Sequence, residues 1–167
     1  MKNIFKKAEF ILIFLLFCLS IFIDNLFTLL MLLINNPIFD YFLAWITHVG
    51  SVFIVLLFMT TLFMWAENKR KWIPLLWLGA FLSGVFSYLI KAIVQRPRLV
   101  IPGLLAGSSF PSAHAAIAFA TVPILDKEFP KLKWFWIGFA ILVGVSRVYF
   151  QYHYLSDVFA GPLLDIQ

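Results

Sequence analysis

Ionisable and hydroxyl side chains gather in three short segments of a chain that is otherwise strongly apolar. The segments are KAIVQRPRL (91–99), SSFPSAHAA (108–116) and SRVYFQYHYLSD (146–157). Several cationic groups, together with a serine and the free N–H groups of a helix N-terminus, are typical of a site for a multiply charged oxyanion such as phosphate. The residues with these properties are Lys91, Arg96, Arg98, Ser112, His114, Ser146, Arg147, His153 and Asp157.

Two histidines in these segments indicate a reaction in addition to binding. Imidazole titrates near neutral pH, so one ring can attack while neutral and another can donate a proton. His153 and Asp157 are four residues apart and share a face if the segment is helical. A carboxylate there can hold one ring nitrogen and leave the other as a nucleophile, while His114 protonates the leaving oxygen.

The composition of the whole chain indicates a membrane protein. Of its 167 residues, 63% are hydrophobic and 13% are charged, against about a quarter charged in soluble domains. Three stretches without Asp, Glu, Lys or Arg, 41–66, 72–90 and 99–121, are each about as long as the roughly 20 residues that cross a bilayer as a helix. Because backbone in lipid must satisfy its own hydrogen bonds, we predict an all-α integral membrane bundle with a single domain over residues 1–167.

Hydropathy and helix-breaking residues place the predicted elements along the chain. The stretch 24–41 is too polar for a clean span and is predicted to be an interfacial helix followed by a turn at Asn35-Asn36-Pro37. About six transmembrane helices are expected, the sixth being short or the chain being incomplete after it. Their expected positions are about 8–23, 48–66, 72–94, 112–125, 134–150 and from about 154 onward.

Basic residues predict the orientation of this bundle in the membrane. Three basic groups, at 2–7, 69–71 and 127–133, fall on one face, which the positive-inside rule makes cytoplasmic. This arrangement and the attraction of anionic headgroups explain most of the net charge of +5, so no nucleic-acid partner is implied. We therefore expect a cell (inner) membrane protein with a cytoplasmic N-terminus and a site on the periplasmic or extracellular side. The basic residues on that opposite side are Lys91, Arg96, Arg98 and Arg147.

The three polar segments together resemble the signature of the type 2 phosphatidic acid phosphatase superfamily. Its pattern is Lys-x6-Arg-Pro, then Pro-Ser-Gly-His, then Ser-Arg-x5-His-x3-Asp. Two positions depart from it, because Leu99 replaces the Pro and Ala113 replaces the Gly. If the position of Ala113 requires a positive φ, that replacement costs about 1 kcal/mol or more. The matching positions are Lys91, Arg98, Pro111, Ser112, His114, Ser146, Arg147, His153 and Asp157.

The resemblance implies an integral membrane lipid phosphatase that needs no metal or other cofactor. It implies that His153 is the nucleophile that forms a phosphohistidine, that Asp157 orients it and that His114 is the general acid. Undecaprenyl diphosphate, phosphatidylglycerol phosphate, phosphatidic acid and the phosphates of lipid A are all compatible substrates. Arg96 lies outside the fixed positions and receives no role. The phosphoryl oxygens would be held by Lys91, Arg98, Ser112, Arg147 and the backbone at Ala113.

Simpler interpretations exist for each residue taken alone. Lys91 would be a snorkelling anchor at a helix end, and His114 would hydrogen-bond a neighbouring helix. Asp157 and Arg147 would form a structural ion pair. All of these would have to hold together, on one face and at family spacing, which favours a functional site. Two other functions stay open: a lipid-phosphate or anion transporter that uses the same cationic pocket without hydrolysis, and a serine hydrolase on Ser112, which lacks the usual Gly-x-Ser-x-Gly motif.

Overall fold

The computed structural model describes residues 2–48, 57–58, 60–99 and 107–164, and helices dominate these ranges. Single 3-10 turns lead into two of the helices, at Arg70–Trp72 and Pro130–Leu132. The helices within the described ranges are α1 (Lys2–Leu33), α2 (Pro37–Thr47), α3 (Thr60–Ala66), α4 (Ile73–Val94), α5 (Ala113–Glu128), α6 (Lys133–Tyr149) and α7 (Leu155–Leu164).

The predicted helical membrane fold is confirmed in its main features. Three segments of the described chain are long and apolar enough to cross a membrane: Phe10–Leu33, Arg70–Val94 and Pro130–Tyr149. Helices α4, α5 and α6 lie within a few residues of their predicted positions. Within the predicted span 48–66, residues 49–56 and 59 lie outside the described residues, and the total of six spans stays a prediction.

The predicted end of the first helix at residue 23 is wrong. Helix α1 continues to Leu33, so no separate interfacial segment begins at residue 24. Asp24 suggested a break, yet its side chain is buried and its carboxylate accepts hydrogen bonds from Arg96 and Ser156. The charge is thus compensated inside the bundle, and no Pro or Gly interrupts residues 10–33. The helix ends just before the turn at Asn35-Asn36-Pro37, which was predicted correctly.

Helix α2 begins at this turn and was not predicted as a separate element. The side-chain oxygen of Asn36 accepts a hydrogen bond from the N–H of Ile38 at 2.8 Å, and Pro37 occupies the first turn, where its missing N–H costs nothing. One side of the helix faces the bundle, and large apolar or aromatic side chains cover the other. These exposed side chains are Ile38, Tyr41, Phe42 and Trp45.

Helix α5 lies at the centre of the bundle, in contact with α4, α6 and α7, while α1 packs along α7. Its side toward the neighbours carries small residues, so that the backbones approach closely. A Cβ atom added to Gly161 of α7 would lie 2.8 Å from the backbone nitrogen of Ala116. This packing brings the C-terminal ends of α4 and α6 to the N-terminal ends of α5 and α7.

Candidate active site

The end of α4 holds the segment that precedes α5. Gln95 adopts a left-handed conformation with φ 50° and ends the helix. In the last turn, the Nζ of Lys91 donates to the carbonyl oxygens of Ser108 at 3.0 Å and Ser109 at 3.1 Å. The N–H of Ser109 donates in turn to the carbonyl oxygen of Arg96 at 2.7 Å. The first two polar segments of the sequence are therefore tied to each other.

Ser112 stands at the N-cap of α5 without capping the helix through its side chain. Its N–H donates to the carbonyl oxygen of Asp157 at 2.9 Å, which joins the starts of α5 and α7. Its Oγ is buried and has no hydrogen-bond partner among the described residues. Ala113 is the first residue of α5 and is helical, so the penalty for a positive φ does not arise. The helix start thus offers an unused hydroxyl beside N–H groups that helices leave free.

His153 lies in the turn between α6 and α7 rather than within a helix. Its N–H donates to the carbonyl oxygen of Arg147 at 3.2 Å, which fixes the turn to α6. The side chain is only 2% exposed, and its Nδ1 lies 2.6 Å from the carbonyl oxygen of Ser109. Because a carbonyl oxygen only accepts hydrogen bonds, we assign the proton of the neutral ring to Nδ1. The lone pair of the ring is then on Nε2.

Asp157 lies beside His153, but other groups supply its shortest hydrogen bonds. Its Oδ2 is 3.6 Å from the Nδ1 of His153 and accepts from the N–H of Tyr154 at 2.9 Å. Its Oδ1 accepts from a terminal nitrogen of Arg96 at 2.7 Å. Asp157 therefore forms its ion pair with Arg96. The simpler interpretation of the sequence had expected an ion pair with Arg147.

Asp24 and Arg96 belong to the same network, although sequence reasoning gave neither of them a role. The second terminal nitrogen of Arg96 donates to the Oδ2 of Asp24 at 2.8 Å. Ser156 binds the same carboxylate through its N–H at 2.9 Å and its Oγ at 2.5 Å. A lone carboxylate inside an apolar span is a functional candidate in itself, and this signal was available in the sequence.

Arg147 and Arg98 keep part of their hydrogen-bonding capacity unused. A terminal nitrogen of Arg147 donates to the Oγ1 of Thr47 at 2.6 Å, and its guanidinium carbon lies 4.6 Å from the ring centroid of Tyr152. The Nε atoms of both arginines are buried and have no partner in the part of the chain that the structure describes. Both guanidinium groups therefore keep a donor for a further acceptor.

His114 completes the cluster from the first turn of α5. Its Nε2 is buried without a hydrogen-bond partner in the described ranges. The ring lies within electrostatic reach of four other site residues: Arg147, His153, Lys91 and Arg98. The three polar segments are thus brought together at one end of the bundle. A buried polar group without a partner costs about 1–3 kcal/mol, so this concentration of unused groups favours an anion site.

A sequence profile described as the PAP2 superfamily matches residues 72–164, which contain all three polar segments. The chain belongs to the PAP2 superfamily. The likeness extends over the whole fold, because a crystal structure of a transmembrane PAP2-type phosphatidylglycerolphosphate phosphatase from Bacillus subtilis superposes with a TM-score of 0.73 at 24% identity. That superposition covers 94% of this chain and 90% of the other.

Several curated relatives of this PAP2 chain are phosphatases by name. The lipid A 1-phosphatase of Rhizobium etli is 31% identical over 114 residues, which cover 58% of this chain and 49% of that protein. The phosphatidylglycerophosphatase B of Bacillus subtilis is 30% identical over 149 residues, covering 80% of this chain and 73% of that protein. The chain therefore spans about half the length of its lipid A 1-phosphatase relative.

Proposed function

We propose that this PAP2 protein is a membrane lipid phosphatase that hydrolyses a lipid phosphomonoester or diphosphate through a phosphohistidine intermediate. One observation carries the proposal. The imidazole of His153 is held at Nδ1 by a backbone carbonyl, within a cluster whose buried donors are unused among the described residues. A phosphoryl group supplies the acceptors that these donors lack. The names of the lipid A 1-phosphatase and phosphatidylglycerophosphatase B relatives agree with this chemistry.

The proposed nucleophile is neutral under ordinary conditions. Burial lowers the pKa of His153 to about 4, and the neighbouring carboxylate of Asp157 opposes this shift only in part. At pH 7 the ring is therefore uncharged, with its proton on Nδ1 and its lone pair on Nε2. A neutral imidazole with one orientation is the form that nucleophilic attack on phosphorus requires.

In the first step, the Nε2 of His153 attacks phosphorus and a P–N bond forms while the P–O bond to the lipid breaks. The leaving lipid oxygen takes a proton from His114. Arg98, Arg147 and Lys91 stabilise the charge on the equatorial phosphoryl oxygens, and the unused Oγ of Ser112 adds a further donor. The protein thus supplies position and electrostatic stabilisation as well as the nucleophile.

In the second step, water attacks phosphorus, gives a proton to His114 and displaces His153, which restores the starting ring and releases inorganic phosphate. His114 must carry a proton before the first step, although basic residues lie within electrostatic reach of it. The negative charge of a bound substrate favours that proton, so substrate binding itself prepares the acid.

The location of the site suits a substrate that stays in the bilayer. Its residues lie at the end of α4 opposite to the basic turn 69–71, and under the positive-inside rule this supports a site on the outer side. Helix α2, with its exposed apolar face, adjoins this end through the bond from Arg147 to Thr47. Its exposed Tyr41 and Trp45 are of the types that are enriched at membrane interfaces, which supports headgroup depth for this helix. The phosphate would therefore reach the cluster while the lipid tail remains among the acyl chains.

Phosphate release from defined lipids tests this proposal. The purified full chain is placed in phosphatidylcholine vesicles that contain undecaprenyl diphosphate, phosphatidylglycerol phosphate, phosphatidic acid or lipid A, and inorganic phosphate is measured. We expect release from at least one lipid, and a loss of at least about 1,000-fold in His153→Ala. Labelled phosphate should be trapped on the parent protein after a neutral quench, because phosphohistidine is labile in acid, and not on the variant.

The exposed His48 offers a matched control, since His48→Ala removes an imidazole that lies outside the cluster. This control is expected to keep the parent rate. Equal release by the parent and by His153→Ala would remove the nucleophile assignment. A parent protein that moves these lipids between leaflets without releasing phosphate would favour the transporter alternative instead.

A further inference from the structure

Arg96 differs from the other two arginines of the site in how its nitrogens are used. One terminal nitrogen binds the carboxylate of Asp157 and the hydroxyl of Ser156, both at 2.7 Å, and the other binds Asp24 at 2.8 Å. Its guanidinium carbon also lies 3.8 Å from the ring centroid of Tyr154. Arg96 is therefore occupied within the protein, whereas Arg98 and Arg147 each keep a buried Nε without a partner among the described residues.

Asp24 anchors this arginine from a distant part of the chain. It is 3% exposed and lies in the middle of α1, where an ionised carboxylate is costly unless it is paired. Both of its oxygens are used, one by the N–H of Ser156 and the other by Arg96 and the Ser156 hydroxyl. Ser156 is the residue next to Asp157, so Asp24 holds the start of α7 as well as Arg96.

We propose that Asp24 and Arg96 are positioning residues that hold the carboxylate of Asp157 beside the imidazole of His153. This role rests on the proposed phosphatase function. Asp157 is fully buried, and its distance of 3.6 Å to the Nδ1 of His153 is too long to fix its orientation by that contact alone. The short bonds from Arg96 and from the N–H of Tyr154 fix it instead.

The proposed role also sets the charge that the imidazole experiences. The charged groups that bear on His153 are Lys91 from α4, Arg147 from α6 and Asp157 from α7, and His114 of α5 is coupled to it as well. Arg96 acts on His153 indirectly, because it neutralises part of the negative charge of Asp157. Without Arg96, the negative charge of Asp157 would favour a proton on His153. Without Asp24, Arg96 would pair with Asp157 alone and neutralise more of its negative charge. A proton on His153 would then be less favourable.

Steady-state kinetics of phosphate release are the first test. Because the proposal gives Arg96 and Asp24 no contact with the phosphate, Arg96→Gln and Asp24→Asn should lower kcat by at least about tenfold and leave KM nearly unchanged. Arg96→Lys should recover part of the loss, since it retains the charge. In the Arg96→Gln background, Asp24→Asn should have a clearly smaller effect than in the parent, because the two residues act in one chain of contacts.

Matched controls lie at the other end of the bundle. Arg70→Gln and Asp126→Asn make the same chemical changes away from the site and should keep the parent kcat. Variants of Asp24 or Arg96 that raise KM with kcat unchanged would mean that these residues bind substrate, which overturns the proposal. If the loss of kcat in the double variant equals the product of the losses in the two single variants, the residues act independently. That result would overturn the proposal that Asp24 acts through Arg96.

Nitrogen-15 NMR of the histidines gives a readout that does not need activity, with His48 and His114 assigned by substitution. We expect the titration midpoint of His153 to rise by about 0.5–1 pH unit in Arg96→Gln and to fall in Asp24→Asn. Opposite shifts follow from charge coupling, whereas a displacement of Asp157 away from His153 would lower the midpoint in both variants. A parent protein that releases no phosphate but shows these shifts would refute the phosphatase function and leave the coupling in place. Unchanged midpoints in an active protein would refute only the coupling.

Discussion

The two ends of the helix bundle both carry basic side chains, but they use them differently. At the end that contains the turns before α4 and α6, here called the basic end, most of the described basic groups have a partner within the protein. Arg70 lies 4.1 Å above the ring of Trp65, Lys69 pairs with Glu128 at 3.4 Å, and Lys133 pairs with Asp126 at 3.2 Å. At the opposite end, buried donors of Arg98 and Arg147 have no partner within the described ranges.

This difference distinguishes charged groups that anchor the protein in the membrane from groups that are available to bind a ligand. Partnered charges near a membrane surface stabilise the fold and its orientation, and they need nothing from outside the protein. Buried donors without partners lower stability, and a folded protein keeps several of them together where a ligand satisfies them. For the arginines, this contrast supports the proposed site at one end of the bundle, independently of the sequence signature.

The strongest test of the contrast is to remove one arginine from each end. Arg147→Gln should lower kcat/KM by at least about 100-fold, because it removes a donor that stabilises charge in the transition state. Arg70→Gln, which loses only its contact with Trp65, should stay within about twofold of the parent. The measurement is phosphate release from the best lipid substrate in vesicles. Equal losses in the two variants would show that general membrane electrostatics, rather than a local site, controls the rate.

A pair of glycine substitutions tests how the site end is assembled. Gly161→Ala would place a Cβ 2.8 Å from the backbone nitrogen of Ala116, so α7 would have to move away from α5. We expect the free energy of unfolding to fall by about 1–3 kcal/mol, together with activity, since His153 and Asp157 flank the start of α7. Thermal unfolding in detergent, followed by circular dichroism, measures the change.

Gly138 in α6 is the matched control, because a Cβ there would meet no atom within 4 Å. Alanine is a better helix former than glycine, so Gly138→Ala should raise stability by up to about 1 kcal/mol. A parallel loss of stability in both variants would mean that the α5–α7 contact is not what makes Gly161 necessary.

The contrast also explains which parts of the structure could be predicted. Helix α4 was predicted well because its apolar run is flanked by charged residues, and these patterns are local in the sequence. The candidate site residues were proposed from fixed spacings, and the structure brings the three polar segments that contain them together at one end of the bundle. The bond from His153 to the carbonyl oxygen of Ser109 could not be predicted, since a backbone acceptor carries no side-chain signature.

The ion pair of Asp24 is a second feature that could not be predicted from the sequence. Its polarity indicated a helix boundary, whereas in the fold it is a buried ion-pair partner of Arg96, far away in the chain. A charge in an apolar segment has two meanings, an end of the segment or a tertiary partner, and the sequence alone does not decide between them. The answer came from packing of α1 against α7.

The smallest expected effect comes from the charges of the basic end. Asp126 and Lys133 are partly exposed and 3.2 Å apart, and exposed ion pairs of this kind contribute about 0–1 kcal/mol. Asp126→Asn should therefore leave the melting temperature and the rate of phosphate release close to those of the parent, and added salt should remove any remaining difference. Asp24→Asn makes the same chemical change at a buried carboxylate, so its effect should survive high salt. If both variants responded to salt alike, the charges of the two ends would be equivalent, and burial would not be what distinguishes the site.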